Sequence, residues 1–139
     1  MHKTFVPLMI DFVERNQIPV RQFNMISPIA LHPARLRERG YNQSCLLSLP
    51  LSRRWGLHHE EGLLIRRKNT PTQTELGAKQ RWTNLEGAFT IKNCANIAGK
   101  SVLLIDDLYT TGATVDAAAE TLKMAGAAEI GVLTFSLTV

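Results

Sequence analysis

The residues best suited to chemistry stand together near the end of the 139-residue sequence: Asp106 and Asp107 in tandem, then Thr110, Thr111, Gly112, Ala113 and Thr114. Ahead of the acids runs Val102-Leu103-Leu104-Ile105, a continuous apolar stretch of the kind that forms a strand buried on both faces. Such a strand delivers the two carboxylates at its C-terminal edge, where open α/β sheets bind ligands. Gly112 lets the following turn pass close to a ligand. The amides from Thr110 to Thr114, with the threonine hydroxyls, can converge on an anion at the positive end of the next helix. A phosphate beside two carboxylates is repelled unless the acids face something else on the same ligand. Sugar hydroxyls or a magnesium ion meet that condition, and a ribose 5-phosphate carries a phosphate and vicinal hydroxyls together. The competing reading is an ordinary strand–turn–helix junction with a threonine cap, which has no need of two tandem acids.

Other phosphate-binding designs do not fit. No GxxxxGK[ST] is present, and no GxGxxG follows a strand. Receiver domains place paired acids on their first strand with most of the domain still to come, whereas only 32 residues follow Asp107 here.

The elements that must position this segment can be read from periodicity. Phe5, Leu8, Met9, Phe12 and Val13 repeat at helical spacing, predicting a helix that ends before Pro19. Phe23 to Leu31 reads as a strand running into a loop at Pro28. A helix is predicted over Asn42 to Trp55, with Pro50 expected to kink or split it. Leu63 to Arg67 and Gly87 to Ile91 read as short strands around a long polar surface loop, Lys68 to Gln80. After the strand Ser101 to Ile105, Val115, Ala118, Ala119 and Leu122 keep helical spacing, with Thr114 as the expected cap and Gly126 past the end. Glu129 to Val139 supplies a final strand. Strand, helix and strand within about 40 residues form a βαβ unit, so a parallel sheet flanked by helices is predicted, with residues 1–139 as a single α/β domain.

Composition narrows the setting. With 45% hydrophobic residues the chain is not disordered, and no run approaches the roughly 20 apolar residues a membrane span requires. The opening residues lack a signal-peptide pattern, so a soluble, cytoplasmic protein without membrane insertion is expected. Cys45 and Cys94 stand alone, which argues against a disulfide framework or a zinc site. Charge is uneven. Residues 35–81 hold ten basic and four acidic residues, and residues 82–139 hold three basic and six acidic ones. A basic middle facing an acidic C-terminal third suits a polyanionic ligand whose metal or hydroxyl groups meet the acids, although charge alone fits a solvated basic face as well.

The thirteen residues from Val102 to Thr114 resemble the phosphoribosyl pyrophosphate signature of type I phosphoribosyltransferases. The upstream blocks Pro33-Ala34-Arg35-Leu36-Arg37-Glu38-Arg39-Gly40-Tyr41-Asn42-Gln43, then Arg66, Thr70, Gln73, Leu76, Arg81, Asn84 and Gly87-Ala88-Phe89, are similar to the ComF/GntX branch of that family. The resemblance runs from about residue 20 to the end, in the family's order.

The resemblance implies a Rossmann-like parallel sheet in which Asp106 and Asp107 hold the ribose hydroxyls and, directly or indirectly, Mg²⁺. Thr110, Thr111, Gly112, Ala113 and Thr114 would cradle the 5-phosphate. The loop from Ile29 to Arg39 would grip pyrophosphate through Arg35 and Arg39. The loop from Lys68 to Gln80 takes the place of a mobile catalytic flap, with Arg66, Arg67, Lys68, Lys79 and Arg81 as clamps; of these, Arg66 and Lys68 join the two acids as candidate catalytic residues. The cysteine-rich zinc segment that begins many relatives is not in this sequence, and no base-recognising hood is identified. Tyr41, Asn42 and Gln43 either orient the pyrophosphate loop or cap a helix. Trp55 and Trp82 are expected in core or interface packing rather than stacked on a base or nucleic-acid strand, His58-His59 in a surface turn, and Tyr109 packed against the flap rather than on a substrate.

The leading expectation is therefore a phosphoribosyltransferase that transfers ribose 5-phosphate from phosphoribosyl pyrophosphate to a nitrogen acceptor with release of pyrophosphate. The alternative is a non-enzymatic competence or DNA-uptake accessory module that binds single-stranded DNA or a phosphoribosyl ligand, which the basic surface would serve. A homodimer is compatible with either.

Overall fold

The computed structural model describes residues 2–67, 88–92, 96–109 and 112–137. Helix α1 spans His2–Arg15 and a short 3-10 turn Val20–Gln22. Then follow β1 (Met25–Pro28), α2 (Pro33–Arg39), α3 (Gln43–Trp55) and the short strands β2 (His58–His59), β3 (Leu64–Arg66) and β4 (Phe89–Ile91). The C-terminal third is β5 (Ser101–Tyr109), helix α4 (Ala113–Met124) and β6 (Glu129–Leu137). Four strands make a parallel sheet in the order β2-β1-β5-β6, while β3 and β4 pair antiparallel as a separate two-stranded sheet. No helix among the described residues is long and apolar enough to cross a membrane.

The alternation of β5 explains the layers. Val102 and Leu104 face one side, packing with Leu63, Leu64, Phe89 and Leu122 beneath α4 and the β3–β4 pair. Leu103 and Ile105 face the other, packing with Leu47, Leu51 and Trp55 of α3 and Val6, Met9 and Val13 of α1. A strand covered on both faces needs the unbroken apolar run seen in its sequence. Trp55 is a core residue, 4% exposed, as expected.

Five expectations are corrected. Pro50 does not split α3, which runs as one helix from Gln43 to Trp55. A proline inside a helix costs about 3 kcal/mol. Burying Leu47, Leu51 and Trp55 on the two sides of it returns about 1.5–3 kcal/mol each, so packing wins. The segment leaving β1 is not a loop throughout. Residues 33–39 form α2, because Pro33 suits the first helical position and the His32 ring accepts from the Ala34 amide at 3.0 Å. His58 and His59 form an edge strand rather than a turn, paired with Met25 and Ile26, and His59 Nε2 lies 2.8 Å from Ser48 Oγ. Thr114 does not cap α4: Gly112 occupies that position, and Thr114 is buried inside the first turn. Finally, β5 continues past Ile105 to Tyr109, because β6 keeps pairing with it through Thr134, Ser136 and Leu137.

The end of α4 locks onto the start of β5. Gly126 has φ +99°, its carbonyl accepts from the Gly99 amide at 2.8 Å, and a Cβ there would lie 3.3 Å from Ala98 Cα. Substitution Gly126→Ala is expected to lower stability by about 1–2 kcal/mol, since a left-handed backbone is costly for any residue with a Cβ. In urea unfolding the midpoint should fall with an unchanged slope.

Candidate functional site

The acids sit where the sheet changes partners. On the β1 side of β5, pairing stops at Pro28–Ile105, and the Ile29 amide closes the ladder on the Ile105 carbonyl at 2.9 Å. On the β6 side, pairing continues through Asp106 and Thr134. Asp106 and Asp107 thus remain in a held, extended strand while one flank is open. The chain runs outward from β1 to β2 on one side and through β5 and β6 on the other, so the acids lie at the topological switch point of the sheet.

Asp106 is 7% exposed. Its Oδ1 accepts from Ser44 Oγ at 3.2 Å and from the Asp107 amide at 2.9 Å. Burial, then the charge of Asp107 and the hydrogen bond shared with its side chain, push the carboxyl up to about 7, against the pull of the amide and the serine. The unliganded pair therefore holds a proton at a pH where an ordinary aspartate has lost it. Ser44 reaches the site because Asn42 caps α3: its side chain accepts from the Ser44 amide at 3.1 Å and donates to the Ile29 carbonyl at 3.0 Å. Of the two readings of the Tyr41–Gln43 stretch, the helix cap is seen at Asn42, which also ties the helix to the exit of β1.

One arginine, Arg66, comes near Asp106, and a second, Arg35, comes near Arg66. Arg66 at the end of β3 stands 5.5 Å over the Phe89 ring of β4. Its guanidinium is lowered from its ordinary value by burial and then by the charge of Arg35, with Asp106 acting in the opposite direction. These interactions put Arg35 from α2, Arg66 from β3 and Asp106 from β5 in one electrostatic cluster. The Arg35 Nε is buried and has no hydrogen-bond partner among the described residues. An orphaned donor beside a second guanidinium needs an anionic oxygen.

The sequence candidates divide accordingly. Asp106 and Asp107 are brought together, with Arg66 near Asp106 and Arg35 near Arg66. Gly112, Ala113 and Thr114 open α4 at the same edge of the sheet, with Gly112 at φ +84° and its carbonyl accepting from the Asp116 amide at 2.8 Å. Arg39 is exposed in the last turn of α2, and Arg67 is exposed with Nε donating to Thr90 Oγ1 at 3.0 Å. Lys68, Lys79, Arg81, Thr110 and Thr111 lie outside the described residues, as do the Lys68–Gln80 loop, Trp82, Cys94 and the side chain of Tyr109. Ser44 and the Phe89 support under Arg66 are additions that the sequence reading missed. A signal for Ser44 was present: Ser44, Ser48 and Ser52 recur every four residues, and all three are buried on one face of α3.

The raised carboxyl has a measurable consequence. The native state keeps a proton on Asp106 between about pH 4 and 7 that the unfolded chain releases, so this group's contribution favours folding at low pH and is lost as pH rises through 7. Asn at position 106 retains the acceptor for Ser44 and offers an N–H to Asp107. Asp106→Asn should raise stability of the ligand-free protein at pH 8 by about 1–3 kcal/mol, with a smaller gain at pH 5. Urea unfolding at the two pH values reads this.

Residues 61–136 match the phosphoribosyl transferase domain family. Competence protein F of Haemophilus influenzae is 39% identical over 108 residues, covering 77% of this chain and 47% of that protein. DNA utilization protein YhgH of Escherichia coli K12 is 36% identical over 116 residues, covering 84% and 48%. Competence protein ComFC of Bacillus subtilis is 38% identical over 110 residues, covering 79% and 42%. The chain thus spans about half the length of these relatives or less. Among solved structures, the adenine phosphoribosyltransferase of Thermoanaerobacter pseudethanolicus aligns with TM-score 0.57 at 19% identity, over 94% of this chain and 67% of that one. The purine phosphoribosyltransferase of Pyrococcus horikoshii aligns with TM-score 0.58 at 18% identity, over 94% and 73%. At these identities the structural likeness speaks for the fold, and it agrees with the parallel sheet and its flanking helices. With the family match over residues 61–136 and the relatives named for competence, this chain belongs to the phosphoribosyl transferase domain family, in its ComF branch.

Proposed function

We propose that this domain binds phosphoribosyl pyrophosphate at the switch point and transfers its ribose 5-phosphate to a nitrogen acceptor, releasing pyrophosphate. The observation that carries this reading is the buried Asp106 set against Asp107, with Arg66 close enough to feel the charges of both Asp106 and Arg35. Two carboxylates suit the vicinal hydroxyls of a ribose, which donate where the retained proton now sits. The guanidiniums suit the pyrophosphate, and the start of α4 at Gly112 suits the 5-phosphate.

Bond breaking at C1 leaves positive character on the ribose and negative charge on the departing pyrophosphate. Arg35 and Arg66 oppose the latter from a partly desolvated position, where charge stabilisation is strongest. Asp106 and Asp107 fix the sugar ring, so the leaving group and the incoming nitrogen are aligned rather than recruited by collision. The acid pair also fits Mg²⁺. Paired hard oxygen donors suit that ion, and among the described residues no group of three or more His, Cys, Asp or Glu forms a protein cage for a metal. Held by Asp106 and Asp107, directly or through water, Mg²⁺ would supply charge neutralisation for the phosphates that the arginines leave uncompensated.

A second reading has its own support. Arg37, Arg39 and Arg53 are exposed, and the relatives are named for competence and DNA utilisation. An accessory module of this kind would bind single-stranded DNA through that basic surface, with strong salt dependence.

Calorimetric titration separates the two. Phosphoribosyl pyrophosphate with Mg²⁺ should bind saturably, and Asp106→Asn combined with Asp107→Asn should abolish binding without unfolding the chain. Arg35→Ala should weaken it about tenfold or more, the loss expected for a charge-assisted hydrogen bond. Salt-sensitive oligonucleotide binding that survives the aspartate changes, with no pyrophosphate formed on adding nitrogen bases, would favour the accessory module. Because the ligand displaces the proton on Asp106, affinity should rise with pH by up to about tenfold per unit below 7 and level off above it. Proton release, read from titrations in buffers of different ionisation enthalpy, checks the same step.

A further inference from the structure

The four-stranded sheet has two edges, and they are built differently. β2, the edge beside β1, is two residues long, and Glu60 directly after it is hydrogen-bonded to His58. A very short edge strand with charge beside it is one way proteins keep a sheet from pairing with a neighbour. β6, the opposite edge, is nine residues long. β5 pairs with its inner side from Glu129 to Leu137, and among the described residues no strand pairs with its outer side. Residues 130–137 contain no charge and no proline, so neither of these devices blunts the edge.

An apolar groove runs beside that edge. A cavity of about 530 Å³ is lined by Leu8, Met9 and Phe12 of α1 and by Leu133, Thr134 and Phe135 of β6, with no charged residue among them. The Phe5 ring stacks on Phe135 at 3.8 Å and fixes α1 against the strand. Met9 is buried beneath the helix, but Leu8 is 53% and Phe12 54% exposed. α1 thus carries a wider apolar stripe than its own core covers. Asp11 and Arg15, which flank Leu8 and Phe12 on the helix surface, pair with each other at 2.9 Å. The flank is apolar and electrically neutral.

We infer that this edge binds the same edge of a second copy of the chain, the two β6 strands joining antiparallel about a two-fold axis so that two four-stranded sheets become one. The pairing does not depend on the transfer reading. Its chemistry is self-complementary, because such an axis sets the outer N–H and C=O groups of one strand against those of the other. An axis perpendicular to the sheet also keeps both α1 helices on one face, where Leu8 and Phe12 of one copy meet those of its partner over the seam. The two Glu129 residues, at the starts of antiparallel strands, stand at opposite ends of it, so these like charges do not meet. A strand edge about 30 Å long and about 10 Å deep, with the flank of a helix about 20 Å long beside it, buries about 500 Å² on each copy. Two such patches give about 1,000 Å², which reaches the area a specific interface requires.

The test uses the full chain. Its mass by light scattering should rise from monomer to dimer with concentration. Over the same series, hydrogen exchange read by NMR should slow at alternate amides of residues 130–137, those on the outer side of β6, and stay constant in α4. Val132→Lys, at a position 40% exposed on β6, and Phe12→Glu should each weaken the dimer about tenfold or more, because each puts a charge into the seam. Urea unfolding should show both variants folded. The inference is overturned by a chain that stays monomeric throughout, by a dimer that both variants leave unchanged, or by β6 amides that exchange equally fast at every concentration. A monomer that instead binds anionic lipid vesicles through Leu8 and Phe12 also overturns it, in favour of a membrane surface.

Discussion

A carboxyl group buried against a second carboxyl group is the feature around which this fold is arranged. Asp106 is shielded from water, faces Asp107 and is left with a proton it would lose in solution. An isolated buried carboxylate would be prohibitively costly, and neutralisation by a retained proton is the usual escape. The surrounding elements reduce that cost further. The Asp107 amide and the Ser44 hydroxyl both point at the same oxygen, and Arg66 comes near from an element distant in sequence. The result is a buried carboxyl whose charged form the ligand-free fold disfavours.

The rest of the domain can be understood as support for that position. Strand β5 stays extended through the acids because β6 continues to pair with it, and the flank is open because β1 ends at Pro28. Helix α3 brings Ser44 to the edge and is anchored by Leu47, Leu51 and Trp55 in the core. That anchoring is strong enough to carry Pro50 within a single helix. The antiparallel β3–β4 pair holds Arg66 over Phe89, which keeps the guanidinium near the sheet instead of in bulk solvent.

Much of this was legible in order along the chain. The apolar run Val102–Ile105, the acids after it and the helical spacing from Val115 to Leu122 fixed a βαβ unit, since burial on two faces and a 3.6-residue period are local patterns. The expectations that failed were local readings overruled by partners far away. Pro50 obeys its neighbours in the core more than its own propensity. His58 and His59 are a strand only because β1 is there to pair with them. Residues 33–39 are helical through a proline start and a histidine cap that the sequence reading did not weigh.

The sequence by itself determined the local pattern: tandem carboxylates after a buried strand, a glycine turn into a helix and an excess of arginine upstream. Those properties follow from residue type and spacing over a dozen positions. That Arg66 comes near Asp106, and Arg35 near Arg66, was decided by tertiary structure alone. Ser44 and Asp106 are 62 residues apart, and Arg35 and Arg66 arrive from a helix and a strand in different layers. No periodicity encodes such a meeting, because it depends on how the elements pack across the sheet edge.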